Sequence, residues 1–84
     1  GAEARPMTAE ACAGEMLMMG LRLHEGVDLR RFTARTGLSL GAAVRPDALG
    51  RLSDGGFLVH SEETLRATGK GRSVLNGVLA ELLA

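Results

Sequence analysis

Two phenylalanines are the whole aromatic content of this 84-residue chain, which has no tyrosine and no tryptophan. A surface that reads single-stranded nucleic acid stacks bases on aromatic rings, so a stacking platform is excluded. Cysteine is nearly absent as well. Cys12 stands alone; it cannot form an internal disulfide or a multi-thiolate metal site, and a single thiol points to a reducing cytoplasm rather than to secretion. His24 and His60 are the only histidines. With Cys12 they make three scattered ligands, short of the four a structural zinc takes. Neither lies in a nucleophile motif, and a catalytic triad needs a base held by a third group. No Walker or dinucleotide glycine pattern occurs. Ten basic and ten acidic side chains cancel, whereas nucleic acid and membrane surfaces reward a basic surplus. No apolar run approaches the roughly 20 residues of a membrane span, so no membrane partner is expected.

The start, Gly1-Ala2-Glu3-Ala4-Arg5-Pro6-Met7, has no initiator methionine and no apolar signal-peptide core. The chain is expected to be an excised piece of a larger protein, with residues 1–7 a disordered or appended leader and residues 8–84 a single domain. That length is near the lower limit for folding without metals or disulfides, and 45% hydrophobic residues suit a helical core.

What is present begins with Thr8, an N-cap for a first helix over about Ala9 to Leu23. Cys12, Met16, Met19 and Leu23 recur at i, i+4, i+7 and i+11 and are read as its inward stripe, widened by Ala13, Leu17, Gly20 and Leu21. Cys12 is then a small core residue. Gly26 ends the segment in a left-handed conformation. Asp28 caps a second helix, Leu29 to Thr36, with Leu29 and Phe32 inward and Arg30, Arg31 and Arg35 outward; Gly37 stops it. Leu38 to Val44 is a turn with a short helical piece. Pro46 suits the first turn of a third helix, Pro46 to Asp54. Phe57 to His60 and Leu65 to Thr68 read as the two strands of a hairpin around Ser61-Glu62-Glu63-Thr64. Thr68 caps a last helix, Gly69 to Leu83, with Val74, Leu75, Val78, Leu79, Leu82 and Leu83 inward. Helix, helix, broken helix, hairpin, helix is the order of a winged-helix domain, so the fold class is mainly α with a small two-stranded β wing.

Met16 to Leu21 is the most informative stretch. Six consecutive residues without a polar side chain sit in a helical segment. A helix that is apolar all round is buried all round, and a chain this short cannot cover it completely. Exposing about 300 Å² of such surface forfeits roughly 7 kcal/mol at about 25 cal/mol/Å². The isolated domain is therefore expected to be sticky or dimeric through this face, and Met16, Met19 and Arg22 are the candidate interdomain or substrate-facing residues.

A DNA-binding winged helix of a transcription regulator is the rival reading. Its reader would be Leu40 to Asp54, where Arg45 and Arg51 are offset by Asp47 and Asp54. Arg30, Arg31, Arg35, Lys70 and Arg72 are split over two places and make a poor footprint for nucleic acid.

Four stretches resemble a known module: Met19-Gly20-Leu21-Arg22-Leu23-His24-Glu25-Gly26-Val27-Asp28, Phe32-Thr33-Ala34-Arg35-Thr36-Gly37, Leu52-Ser53-Asp54-Gly55-Gly56-Phe57-Leu58, and Thr68-Gly69-Lys70-Gly71-Arg72 through Leu75-Asn76-Gly77-Val78-Leu79. The module is the C-terminal domain of the oxygen-independent coproporphyrinogen III oxidase family, radical S-adenosylmethionine proteins of haem biosynthesis, with their haem-chaperone relatives. The resemblance spans about Thr8 to Leu83. It implies an N-terminal radical S-adenosylmethionine barrel in the same chain, holding a [4Fe–4S] cluster and S-adenosylmethionine, and a tetrapyrrole substrate or haem as ligand. It also implies that this domain is accessory, has no catalytic, cofactor-binding or metal residue of its own, and covers the barrel. The cluster's three-cysteine loop is absent here, as is the family's His-Asn-x-x-Tyr-Trp element. Gly20, Arg22 and Gly26 are the family positions that carry over, the last two within the family's Leu-Arg-x-x-x-Gly element. Ala67 departs from it, standing where a larger apolar residue is usual. Oxidase and chaperone are not distinguished by these residues.

Overall fold

The computed structural model describes residues 7–84, so the leader expected over residues 1–7 lies, Met7 apart, outside the described residues. In chain order come α1 (Ala9–Gly20), β1 (Val27–Asp28), α2 (Leu29–Thr36), α3 (Leu40–Ala43), α4 (Pro46–Asp54), β2 (Leu58–His60), β3 (Thr64–Ala67), α5 (Gly69–Ser73) and α6 (Leu75–Leu83). The domain is mainly helical and winged-helix-like, with a small antiparallel sheet.

Caps set most of these boundaries. The Thr8 hydroxyl accepts the Ala11 N–H at 3.0 Å, Asp28 accepts the Arg31 N–H at 3.1 Å, and Thr68 accepts the Gly71 N–H at 3.1 Å. Each satisfies one of the donors a helix start leaves unpaired. Gly37 closes α2 with φ 72°, a conformation open to a residue without Cβ.

The sheet has three strands rather than two, in the order β1-β3-β2. Val27 pairs with Leu65, and Leu58 pairs with Ala67. These four residues are buried and form the sheet's core face. The third strand exists because Gly26 lets the chain run against β3. Its φ is 72°, and a Cβ there would collide with the Leu65 carbonyl oxygen. The small Ala67 lies completely buried opposite Leu58 rather than leaving that end of the wing open.

Two helices differ from the sequence expectation. The first ends at Gly20, not Leu23, and the last breaks at Val74, where the backbone leaves the helical region at φ −129° and ψ 37°. α5 is held against the start of β2: a Cβ on Gly71 would collide with the Phe57 carbonyl oxygen. α6 follows α1 and α4 instead. One straight helix cannot serve both contacts, so the chain bends and Val74, expected inward, is half exposed.

The core gathers Leu17, Leu21, Phe32, Leu58, Leu65 and Leu82, all essentially without solvent exposure. α1 packs on α2, α3, α6 and β1. Its inward stripe is Ala13, Leu17 and Leu21, at i, i+4 and i+8. The stripe read from the sequence, Cys12, Met16, Met19 and Leu23, lies to one side of it. Cys12 and Met16 are half-buried, and Met19 and Leu23 are exposed. α1 is thus not covered all round by this domain, and Cys12 lies outside the core cluster. Among the described residues, no helix is long and apolar enough to cross a membrane.

Candidate functional site

The departure of the chain from α1 builds the site. Gly20 is the last residue of α1, and a Cβ there would sit 2.5 Å from Val27 Cγ2. Glycine therefore lets β1 fold back against the end of α1. Between them the chain makes two tight turns, with Leu23 N–H donating to the Gly20 carbonyl and Gly26 N–H donating to the Leu23 carbonyl, each at 3.1 Å. Leu21 is anchored in the core with no exposure, which turns the residues on either side of it outward. Arg22 Nε donates to the Met18 carbonyl at 3.0 Å. This satisfies one of the acceptors the helix end leaves free and fixes the guanidinium beside the last turn of α1.

The result is an open groove of about 660 Å³ between the end of α1 and the length of α2. Met16, Met19 and Leu23 line it on one side, and Arg22, Arg31 and Arg35 stand around it. Met19 is 67% exposed and Leu23 52%. Both are large apolar side chains held in water by a fold with buried alternatives beside them, which marks a contact surface more often than an accident. All three candidate residues, Met16, Met19 and Arg22, come together in this groove.

Leu23, expected inside, is exposed, and Arg31 and Arg35, expected only to point outward, line the groove. Their signal was nevertheless present: Arg30 and Arg31 occupy the first turn of a helix, where the unpaired N–H groups favour acidic residues.

A second depression, of about 1000 Å³, lies on the far side of α2 against the hairpin turn. Asp28, Glu62 and Glu63 face Arg30 there, with Leu29 and Ala34 as apolar lining. It holds none of the exposed large apolar residues, so the smaller groove is the better candidate despite its size.

Among the described residues no three His, Cys, Asp or Glu side chains are grouped as metal ligands. An iron–sulfur cluster takes several thiolates, and the chain has one cysteine, so these residues do not fit the cluster the family resemblance implies. His24 is exposed and outside the groove lining, as is His60.

Perturbed ionisation is found on the opposite side. The Asp47 carboxyl is held below the usual carboxylate range, mainly by its hydrogen bond from Arg51, and the Arg51 guanidinium is raised, mainly by Glu81. Arg51 reaches Asp47 at 3.0 Å and Glu81 at 3.1 Å, tying α4 to α6. This is a structural clasp.

A family profile described as the HemN C-terminal domain matches residues 7–74. The "Radical S-adenosyl methionine domain-containing protein 1, mitochondrial" of Dictyostelium discoideum is 37% identical over 79 residues, 93% of this chain. The chain spans only 18% of that relative's length. No solved structure gives a significant match. The profile covers the first helix, the groove, the sheet and the start of the last helical pair, and on that coverage the chain belongs to the HemN C-terminal domain family.

Proposed function

We propose that this domain is the accessory C-terminal piece of a radical S-adenosylmethionine protein acting in porphyrin or haem biosynthesis or in haem chaperoning. It covers the open side of the parent's catalytic barrel and is not catalytic alone. The observation that carries this reading is the exposure of Met19 and Leu23 beside Arg22 at the end of α1. A surface of this kind is suited to rest on a neighbouring module. The Dictyostelium relative, named for a radical S-adenosyl methionine domain and several times longer than this chain, supports such a neighbour. The parent's [4Fe–4S] cluster and S-adenosylmethionine would be held by the barrel, and the lid's task is to keep water from a radical intermediate. Arg22 is the residue placed to meet a carboxylate of the barrel or of the tetrapyrrole. The single thiol suits a cytoplasmic setting.

A DNA-reading role draws less support. Arg45 and Arg51, the cations of the would-be reader, are engaged by Asp47 and Glu81, which leaves little charge for phosphates.

Peroxide footprinting of methionines tests the lid. In the isolated chain Met19 oxidises readily, and in the longer protein it is protected. Equal oxidation of Met19 in both would overturn the docking. Arg22→Ala in the longer protein, with turnover and tetrapyrrole binding unchanged, would remove the role given to Arg22. Haem titration of the longer protein then separates chaperone from oxidase.

A further inference from the structure

Three arginines stand around the groove, and among the described residues none of them is in an ion pair. The ion pairs among the described residues are Arg45–Asp47, Arg51–Asp47 and Arg51–Glu81, all on the α4–α6 side. Arg22 spends Nε on the Met18 carbonyl and keeps its remaining donors free for another acceptor. The groove's own carboxylates, Glu25 and Asp28, offset two of the three charges and leave an excess of one. Asp28 is occupied as the N-cap of α2, and Glu25 forms no ion pair among the described residues.

Arg31 also stands where its own helix disfavours it. α2 begins at Leu29, and its first turn contains no acidic residue. The unpaired N–H groups of that turn carry partial positive charge, which a cation opposes. One helical turn on comes Arg35, a like charge at i+4 that adds a further small repulsion. Among the described residues no carboxylate forms an ion pair with Arg31 or Arg35. An incoming negative charge would.

The apolar side points to the shape of what carries that charge. Met16 and Met19 lie on the last turns of α1 and Leu23 in the turn that follows it, so together they line one side of an elongated groove. Flexible, polarisable methionines suit a groove that takes an amphipathic helix. Strand addition is a poorer fit, because β1, the strand at this groove, is two residues long and offers almost no edge.

We infer that the groove receives an acidic amphipathic helix from the barrel portion of the same protein, its apolar stripe on Met16, Met19 and Leu23 and its carboxylates on Arg22, Arg31 and Arg35. This rests on the lid reading above and specifies the element that docks.

Fluorescence anisotropy with the 84-residue chain tests it. One labelled helical peptide carries leucines at i, i+3 and i+7 flanked by glutamates. A twin replaces each glutamate by lysine, and a scrambled version keeps the composition but loses the stripe. The acidic amphipathic peptide is expected to bind at least about tenfold tighter than either control. Met19→Glu, or Arg31→Glu with Arg35→Glu, is expected to abolish that difference while circular dichroism remains that of the folded chain. Equal binding of the lysine twin, or binding of none of the three, would overturn the inference. So would concentration-dependent dimerisation that Met19→Glu abolishes and the acidic peptide does not compete away, because the occupant would then be a second copy. The footprinting of Met19 in the longer protein is independent of these peptides. Protection there without peptide selectivity leaves the lid standing and removes the acidic helix; loss of protection removes the lid.

Discussion

On the α4–α6 side, Arg51 joins Asp47 and Glu81 at 3.0 and 3.1 Å, and the Arg45 N–H donates to the Leu82 carbonyl at 2.9 Å. Across the molecule, Arg31 and Arg35 line an open groove, and a methionine beside them is two-thirds exposed. Both sides use arginine, apolar side chains and a helix pair. On the first side every interaction closes within the domain. On the second, among the described residues, the arginines form no ion pair and Met19 and Leu23 stay exposed. The difference separates what holds this fold from what the fold presents.

The sharpest test of that separation sets neighbours on α1 against each other. Leu17 is completely buried, and truncating it to alanine should cost about 2–5 kcal/mol, as for other large core residues. Met19→Ala, two residues on, should change stability by no more than about 0.5 kcal/mol. Urea unfolding of the isolated chain reads both. A comparable loss for Met19 would place it in the core and erase the open side.

The hinge between the two sides is next in size. Gly20→Ala drives a methyl group to 2.5 Å from Val27 Cγ2. Val27 is buried and paired with Leu65, so it has little room to give, and the cost should be about 1–3 kcal/mol. A thermal melt unchanged from wild type would mean that β1 can be displaced without consequence for the sheet.

A smaller change of opposite sign is expected at Arg31. Arg31→Glu puts a carboxylate three residues past the Asp28 N-cap, at the favoured end of the helix dipole, and gives Arg35 an opposite charge at i,i+4. The isolated chain should gain about 0.5–1 kcal/mol. A gain here, together with lost binding of the acidic peptide, would separate stability from function at one residue. A loss would show that Arg31 already serves the fold.

Much of this fold was legible because its signals are local. Asp28 and Gly37 bracket α2, Pro46 opens α4, and Thr68 opens α5, each through its own backbone chemistry. What escaped depends on distant partners. Val27–Asp28 is too short to show a strand's alternation; it is a strand only because β3 lies beside it. The break at Val74 comes from Gly71 packing on Phe57 while α6 follows α1 and α4. In α1 the run Met16 to Leu21 offers no polar residue to break the symmetry, so periodicity favours Cys12-Met16-Met19-Leu23 as readily as Ala13-Leu17-Leu21. Packing against α2, α3, α6 and β1 makes the choice. The same ambiguity hid half of the groove. Met16, Met19 and Arg22 were visible as surplus, but Arg31 and Arg35 joined them only once α2 was in place.

The mildest effect belongs to the closed side and concerns acid. Asp47 is exposed, and its carboxyl is held below the usual carboxylate range chiefly by the hydrogen bond from Arg51. A carboxyl whose folded value lies below its unfolded value contributes stability above the ordinary carboxylate range. That contribution disappears as pH falls through the folded value. Arg51, raised chiefly by Glu81, stays charged throughout that window. Asp47→Asn should therefore lower the melting temperature slightly at neutral pH, and the gap from wild type should close as the solution is acidified. Salt should narrow it too, because the pair is exposed to solvent. On the open side Arg31→Gln removes a cation that forms no ion pair among the described residues, and its melting temperature should track wild type down the same acid limb. A gap that widened in acid for Asp47→Asn, or a new acid dependence for Arg31→Gln, would mean that the carboxylates closing α4 onto α6 had been misassigned.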